Sequence, residues 1–170
     1  NVEILINNPG FGISGNFDAI TLLKEIEMIE VNCVALHILT KLMLEKMEHN
    51  DNGYILNVAS CAGLMPAGPH MSTYYATKSY VTSLTQGIAR ELKEKNSNVY
   101  VGCLCPGPVD TEFNDVAQVK FALKGIRADY CAKYALSKMK KRKVVIIPTI
   151  KMKLAMTSGR YLPNYLYIII

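Results

Sequence analysis

Four apolar, strand-like runs punctuate the chain, at residues 2–6, 54–59, 99–105 and 144–147, and helical periodicity fills the gaps between them. Residues 16–30 carry Ile20, Leu23, Ile26 and Ile29 on one face, with Asn16 or Asp18 as the cap. Residues 31–48 continue with Val34, Ile38, Leu42 and Met43, and residues 74–95 place Val81, Leu84, Ile88 and Leu92 on one stripe. A further helix is expected over residues 128–141, before the last strand. Strands that alternate with helices build βαβ units, and such units close into a parallel sheet covered on both faces. Ligands on these sheets bind beyond the carboxyl ends of the strands. Asn7-Asn8, Ser60 and Pro106-Gly107 all follow strands, so they are expected to converge on one site.

The bulk numbers fit a single domain over residues 1–170, with 50% hydrophobic and 19% charged residues. Net charge is +5, but the lysines are scattered apart from the run Lys138-Met139-Lys140-Lys141-Arg142-Lys143. That run reads as a solvated helix end meeting its dipole, not as a nucleic-acid or membrane surface. No apolar stretch approaches a membrane span, and Tyr165–Ile170 reads as a buried tail. The five cysteines are odd in number and show no zinc-like spacing with His37, His49 or His70, so no metal site is expected. Cys103 and Cys105 share one strand face and read as small apolar core residues in a reducing, cytoplasmic protein. The chain opens on Asn1 and runs at once into the buried-strand pattern Val2–Ile6, which suggests that something precedes it.

The chemistry-bearing feature is Ser72-Thr73-Tyr74-Tyr75-Ala76-Thr77-Lys78. On a helix, the four-residue spacing puts the Tyr74 phenol and the Lys78 ammonium on one face. A cation beside a phenol favours the phenolate and lowers the Tyr pKa, which suits acid–base work at a carbonyl or alcohol. With 10 Tyr and 15 Lys, chance alone supplies about one such spacing, and Tyr134-Ala135-Leu136-Ser137-Lys138 is a second match. Tyr74 follows the strand-terminal Ser60 by 14 residues and opens a long amphipathic helix; Tyr134 has no such serine and reads as helix surface or core.

Gly10-Phe11-Gly12-Ile13-Ser14-Gly15 matches G-x-G-x-x-G after a strand. A pyrophosphate loop would need a second strand ending in an acid about 20 residues further on, and Glu30 instead lies in a helical stretch. The glycines are read as letting the backbone pass close to a cofactor held by other strands, or as a tight turn.

In order along the chain stand Asn7-Asn8-Pro9-Gly10, Asn32, Asn57-Val58-Ala59-Ser60-Cys61-Ala62-Gly63, Tyr74-Tyr75-Ala76-Thr77-Lys78 and Pro106-Gly107-Pro108-Val109-Asp110-Thr111. This ordered set resembles the short-chain dehydrogenase/reductase family over nearly the whole chain. The Tyr-Tyr-Ala-Thr-Lys wording and Arg160-Tyr161-Leu162-Pro163 resemble its bacterial ketone/aldehyde-reductase branch. The resemblance implies a doubly wound, Rossmann-like parallel sheet, an NAD or NADP cofactor, a small-molecule carbonyl or alcohol substrate and a homo-oligomer. It implies that Tyr74 protonates the carbonyl oxygen as hydride arrives. Lys78 would lower the Tyr pKa and hydrogen-bond the nicotinamide ribose, and Ser60 would hold the substrate oxygen. Asn32 would disturb its helix and hold a water in a proton relay. Asn8 and Gly10 would line the cofactor, and Pro106, Gly107 and Thr111 would shape the nicotinamide pocket. Taken singly, Ser60 reads equally as a turn former and Asn32 as an ordinary helix residue.

Three departures from the family pattern stand out. Pro9 replaces the usual Ala and removes a backbone donor. The Ser60-to-Tyr74 gap carries one extra residue, assigned to the loop Pro66-Ala67-Gly68-Pro69. By the family pattern the chain starts at the fourth strand and represents the C-terminal two-thirds of the domain, without roughly 80 residues that hold the phosphate loop. The expected function is an NAD(P)-dependent oxidoreductase acting on a moderately apolar carbonyl or alcohol, with residues 112–127, including Phe113, Val116, Val119, Phe121 and Leu123, as a substrate lid. The rival reading is a non-catalytic remnant that keeps the half sheet and its helices as a dimerising module. Residues 31–48 and 74–95 offer the apolar surface for a homodimer in either case.

Overall fold

Each apolar run becomes a strand in the computed structural model, which describes residues 2–66, 68–113 and 124–159. The strands are β1 (Ile4–Asn7), β2 (Gly53–Val58), β3 (Val99–Leu104), the two-residue β4 (Val109–Asp110) and β5 (Ile126–Arg127), and β6 (Val145–Ile146). β1, β2, β3 and β6 form a parallel sheet in that order, and β4 pairs with β5 apart from it. The helices are α1 (Leu22–Ile29), α2 (Leu36–His49), α3 (Ser72–Glu94), α4 (Ala128–Lys140) and α5 (Ile150–Gly159). This is the α/β, Rossmann-like arrangement that the alternating pattern requires.

Period-two burial divides the sheet faces. Ile55, Val99 and Val101 meet Met47 of α2 and Leu92 of α3 on one side. Leu56, Tyr100, Leu104 and Ile146 meet Cys131, Ala135 and Met139 of α4 on the other. β3 is buried along its whole length, as a central parallel strand must be. β1 is different. Among the described residues it pairs on one edge only, and Ile4 and Ile6, on the face turned away from α2, are 51% and 47% exposed.

The face under α2 and α3 also carries a buried polar ladder. Asn7 Nδ2 donates to Thr40 Oγ1 at 3.0 Å and to Asn57 Oδ1 at 2.9 Å. Asn57 Nδ2 donates to Thr85 Oγ1 at 3.0 Å, and Thr85 passes its own hydrogen to the Val81 carbonyl at 2.7 Å. Buried polar groups are tolerated here because each is paired.

Several expectations are corrected. α1 begins at Leu22 behind Thr21, not at an Asn16 or Asp18 cap. Its Leu23, Ile26 and Ile29 point outward, because α1 packs on α3 through Met28 and Glu25. The buried Glu25 carboxylate accepts the Thr73 hydroxyl at 2.5 Å. Val34, Ile38 and Leu42 likewise face outward, while Leu36, Thr40 and Met47 turn to the sheet. On α3 the expected stripe does face the core, with Val81 and Leu92 buried. α5 was not foreseen: Ile150 and Leu154 are exposed and only Met156 is buried, so its sequence carries no amphipathic signal. Cys103 and Cys105 are buried free thiols, as expected of core residues, and so are Cys33, Cys61 and Cys131. Among the described residues no helix is long and apolar enough to cross a membrane. The expected tail at 165–170, the Arg160–Pro163 motif and most of the expected lid lie outside the described residues.

Candidate active site

The site is built from the segments that follow β1, β2 and β3 and from the first turns of α3. After β2 the chain stays stitched to its neighbour: Ala59 N–H donates to the Leu104 carbonyl and Cys61 N–H to the Pro106 carbonyl, each at 2.8 Å. Between these two bonds, Ser60 is extended and its Oγ accepts the Ala62 N–H at 3.1 Å, which starts a short 3₁₀ turn. Its hydroxyl is thereby fixed at the carboxyl end of the sheet.

α3 delivers Tyr74 and Lys78 one turn apart. Tyr74 is 8% and Lys78 4% exposed, and the Lys78 Nζ lies 5.8 Å from the Tyr74 ring centroid. Burial pushes the Tyr74 phenol up to about 12, and the neighbouring Ser60 side chain pulls the other way. The expected lowering by Lys78 is corrected: the phenol is raised, with desolvation of the phenolate as the largest cause and Lys78 not among the causes. Burial also pushes Lys78 down to about 8, against the opposing pull of Cys33 and Cys105. Lys78 donates to the Val58 carbonyl at 3.3 Å. That is its one hydrogen-bond partner among the described residues, so two of its three ammonium hydrogens remain to be satisfied.

Asn32 lies in a π-helical turn, Glu30–Ala35, between α1 and α2. The helix is disturbed at Asn32, as the resemblance implied. Its side chain is fully buried and spans two elements: Nδ2 donates to the Phe11 carbonyl and to Thr77 Oγ1, both at 3.0 Å, and Oδ1 accepts the Phe11 N–H at 3.2 Å. Thr77 was missed in the sequence; it is buried and links Asn32 to the Tyr74 carbonyl through a 2.8 Å hydrogen bond.

The glycine run does not open a helix, since α1 starts only at Leu22. Instead it lies across the site. Gly10 has φ +143°, and a Cβ there would stand 2.8 Å from Lys78 Nζ and 3.0 Å from Asn32 Oδ1. Only a glycine brings backbone this close to both groups. Asn8 and Gly10 are exposed beyond β1, and Pro106 and Gly107 follow β3 beside Ser60, with Gly107 against Met152 of α5. Thr111 is exposed, and its Oγ1 accepts the Phe113 N–H at 3.4 Å. The Phe113 ring in turn packs on Tyr74, with centroids 5.5 Å apart. The second Tyr/Lys pair lies elsewhere. Tyr134 sits on α4, across the sheet from α3, with Lys153 Nζ donating to its hydroxyl at 2.9 Å.

A profile of the family described as short chain dehydrogenase matches residues 1–120. The chain belongs to that family. Dehydrogenase/reductase SDR family member 11 of Bos taurus is 36% identical over 115 residues, which make up 66% of this chain and 45% of that protein. In three dimensions the chain is similar to a short-chain dehydrogenase from Sphingobium yanoikuyae in complex with NADPH. The TM-score is 0.80 at 30% identity, over 94% of this chain and 63% of the other. A 4-hydroxyisoleucine dehydrogenase complexed with NADH gives a TM-score of 0.69 at 25% identity, over 85% of this chain and 66% of the other. The chain thus spans about half the length of the curated relatives it matches. The residues present fit the nicotinamide-ribose end of such a cofactor: a buried ammonium with unsatisfied hydrogens faces a bare glycine backbone beside a phenol. Among the described residues no cluster of ligating side chains could hold a metal.

Proposed function

We propose that this chain is the catalytic part of an NAD(P)-dependent oxidoreductase, a single domain that acts on a small to medium carbonyl or alcohol, with Tyr74 as general acid and base. The observation that carries the reading is the buried Tyr74 phenol beside the buried Lys78 ammonium, on the first turns of α3, with Ser60 fixed at the carboxyl end of β2. The nicotinamide cofactor, NAD or NADP, supplies the hydride chemistry when bound. The protein supplies the proton and the field. A phenol whose pKa is held near 12 stays protonated at neutral pH and is ready to donate to a carbonyl oxygen. Ser60 shares that oxygen and orients it. Lys78 donates its spare hydrogens to ribose hydroxyls and stabilises the phenolate left after proton transfer. Asn32 holds the glycine loop against Lys78 and keeps one Oδ1 lone pair for a relay water. Asn8, Gly10, Pro106, Gly107 and Thr111 border the cofactor.

A non-catalytic remnant would have no use for Lys78, whose burial costs stability that an apolar residue would not. The protein is placed in the cytoplasm, where its free thiols stay reduced. It is assigned a second copy of itself as partner, on the outward apolar stripe of α2. The test is Tyr74→Phe in a polypeptide competent in turnover. Carbonyl reduction is expected to fall by about 10²–10⁴-fold, the usual worth of a positioned acid or base, while Tyr134→Phe changes little. Equal losses at the two positions would remove Tyr74 from the chemistry.

A further inference from the structure

The Tyr74 phenol is walled on two sides by aromatic rings. Phe113 lies 5.5 Å away at 45°, and Tyr75 lies 6.3 Å away, edge-on at 76°. Met71 is buried in the same cluster, and Phe11 and Ile13 of the glycine loop pack against it. Gly12 closes the arrangement. A Cβ at Gly12 would stand 3.0 Å from Phe113 Cζ, 3.1 Å from Met71 Cε and 3.1 Å from Tyr74 Cδ2. The tip of the Phe113 ring therefore fills a slot whose floor is the Gly12 backbone and whose walls are Met71 and Tyr74. One aromatic ring occupies it, tilted 45° to Tyr74. Phe113 itself is only half-buried, so its ring leaves at the cost of one aromatic contact.

We propose that the substrate carries a flat, phenyl-sized apolar ring next to its reacting carbon, and that this ring replaces Phe113 in the slot between Gly12, Met71 and Tyr74. The inference rests on the oxidoreductase reading for what happens to the adjacent carbonyl, but the slot is a binding property of its own. A carboxylate in the same place would be stripped of water against Met71 and two aromatic faces, which is costly. A saturated ring of equal size offers no aromatic face to the Tyr74 ring, which Phe113 meets with centroids 5.5 Å apart. Phe113 and Gly12 are then specificity-determining residues that compete with, and make room for, the substrate ring.

The experiment is binding of three probes to the whole chain without cofactor, followed by saturation-transfer NMR: acetophenone, cyclohexyl methyl ketone and pyruvate. Acetophenone is expected to bind more tightly than the other two. Phe113→Ala removes the competing ring and is expected to tighten acetophenone about three- to tenfold, the worth of one aromatic contact. Gly12→Ala narrows the slot against the movable ends of Phe113 and Met71, and is expected to weaken acetophenone by a similar factor. The slot is refuted if pyruvate binds as well as acetophenone, or if Phe113→Ala leaves acetophenone unchanged or weaker. Acetophenone that binds in this pattern upholds the slot, and an unchanged rate of carbonyl reduction for Tyr74→Phe, in a polypeptide that does bind NADH or NADPH, counts against the oxidoreductase reading alone. Turnover of ketones with no dependence on Phe113 does the reverse.

Discussion

Asn32 grips Phe11 by both of its backbone groups, accepting the N–H at 3.2 Å and donating to the carbonyl at 3.0 Å. A side-chain amide here does the work of a neighbouring strand. It fixes the glycine loop at the one point where that loop crosses Lys78 and Tyr74. The π-helical turn turns Asn32 inward to do so.

Asn32→Ala is therefore expected to leave both Phe11 groups without this partner and to take one of the two hydrogen bonds of the Thr77 hydroxyl, whose bond to the Tyr74 carbonyl remains. The loss of stability should be about 1–3 kcal/mol, the cost of unpaired buried polar groups. Urea denaturation measures the loss, and hydrogen exchange at the Phe11 amide shows its origin. An equally protected Phe11 amide in the variant would mean that the loop is held by something else.

Lys78 gives a pH signature. Its folded pKa, about 8, lies below the ordinary lysine value of 10.5, so between those values the unfolded chain binds more protons than the folded one. Stability contributed by this group therefore rises with pH across that window and is flat below it. The slope is about 1 kcal/mol per pH unit at most. Cys61 and Tyr74, both pushed up to about 12 by burial, act in the opposite direction above pH 9 and 10. The comparison is thus wild type against Lys78→Met by chemical denaturation from pH 7 to 10. The variant is expected to be the more stable at pH 7 and to lose that lead as pH rises. A pH-independent difference would show that Lys78 is not desolvated.

Much of this was legible in the sequence, and the rest was hidden for physical reasons. The strands were visible because parallel strands buried on both faces need unbroken apolar runs, as in Val99–Leu104. Ser60, Tyr74 and Lys78 were visible because they lie at a strand end and at one helical spacing. The face of α1 differs from the expectation because Met28 and Glu25, and not Leu23 or Ile26, are buried; the partner of Glu25, Thr73, is 48 residues away and no local period points to it. The ladder from Thr40 to Thr85 and the place of Phe113 on Tyr74 are long-range pairings of the same kind.

The outward stripe of α2 predicts self-association. Ile38 and Leu42 are 50% and 53% exposed, next to Val34 and to Tyr80 of α3. Ile38→Glu, with Leu42→Glu as a second variant, is expected to convert a dimer to monomers in sedimentation equilibrium without loss of helical circular dichroism. A wild-type chain that sediments as a monomer at tens of micromolar, roughly the range of weak specific pairs, would rule out this surface as an interface.

Cofactor binding by residues 1–170 alone is expected to be weak. The chain offers the nicotinamide-ribose end its ammonium and glycine backbone, but the Gly10–Gly15 run leads into no helix N-terminus that could hold a pyrophosphate. Titration of the mass-verified chain with NADH and NADPH should show no micromolar affinity. Micromolar binding would reassign that run as a phosphate cradle.

The pairing of Asn7 with Asn57 also decides how β1 can sit. The outer face of this strand is no guide, because Ile4 and Ile6 remain half in solvent and would be no worse off shifted along. A slip of one residue against β2 would swing Asn7 outward and take from Thr40 and Asn57 the donor they share, leaving them only each other and Thr85. A slip of two would lay Leu5 against the Asn57 amide. The single asparagine thus acts as a key cut for one position of the lock, and Asn7→Leu should yield a strand that is still docked but no longer uniquely aligned.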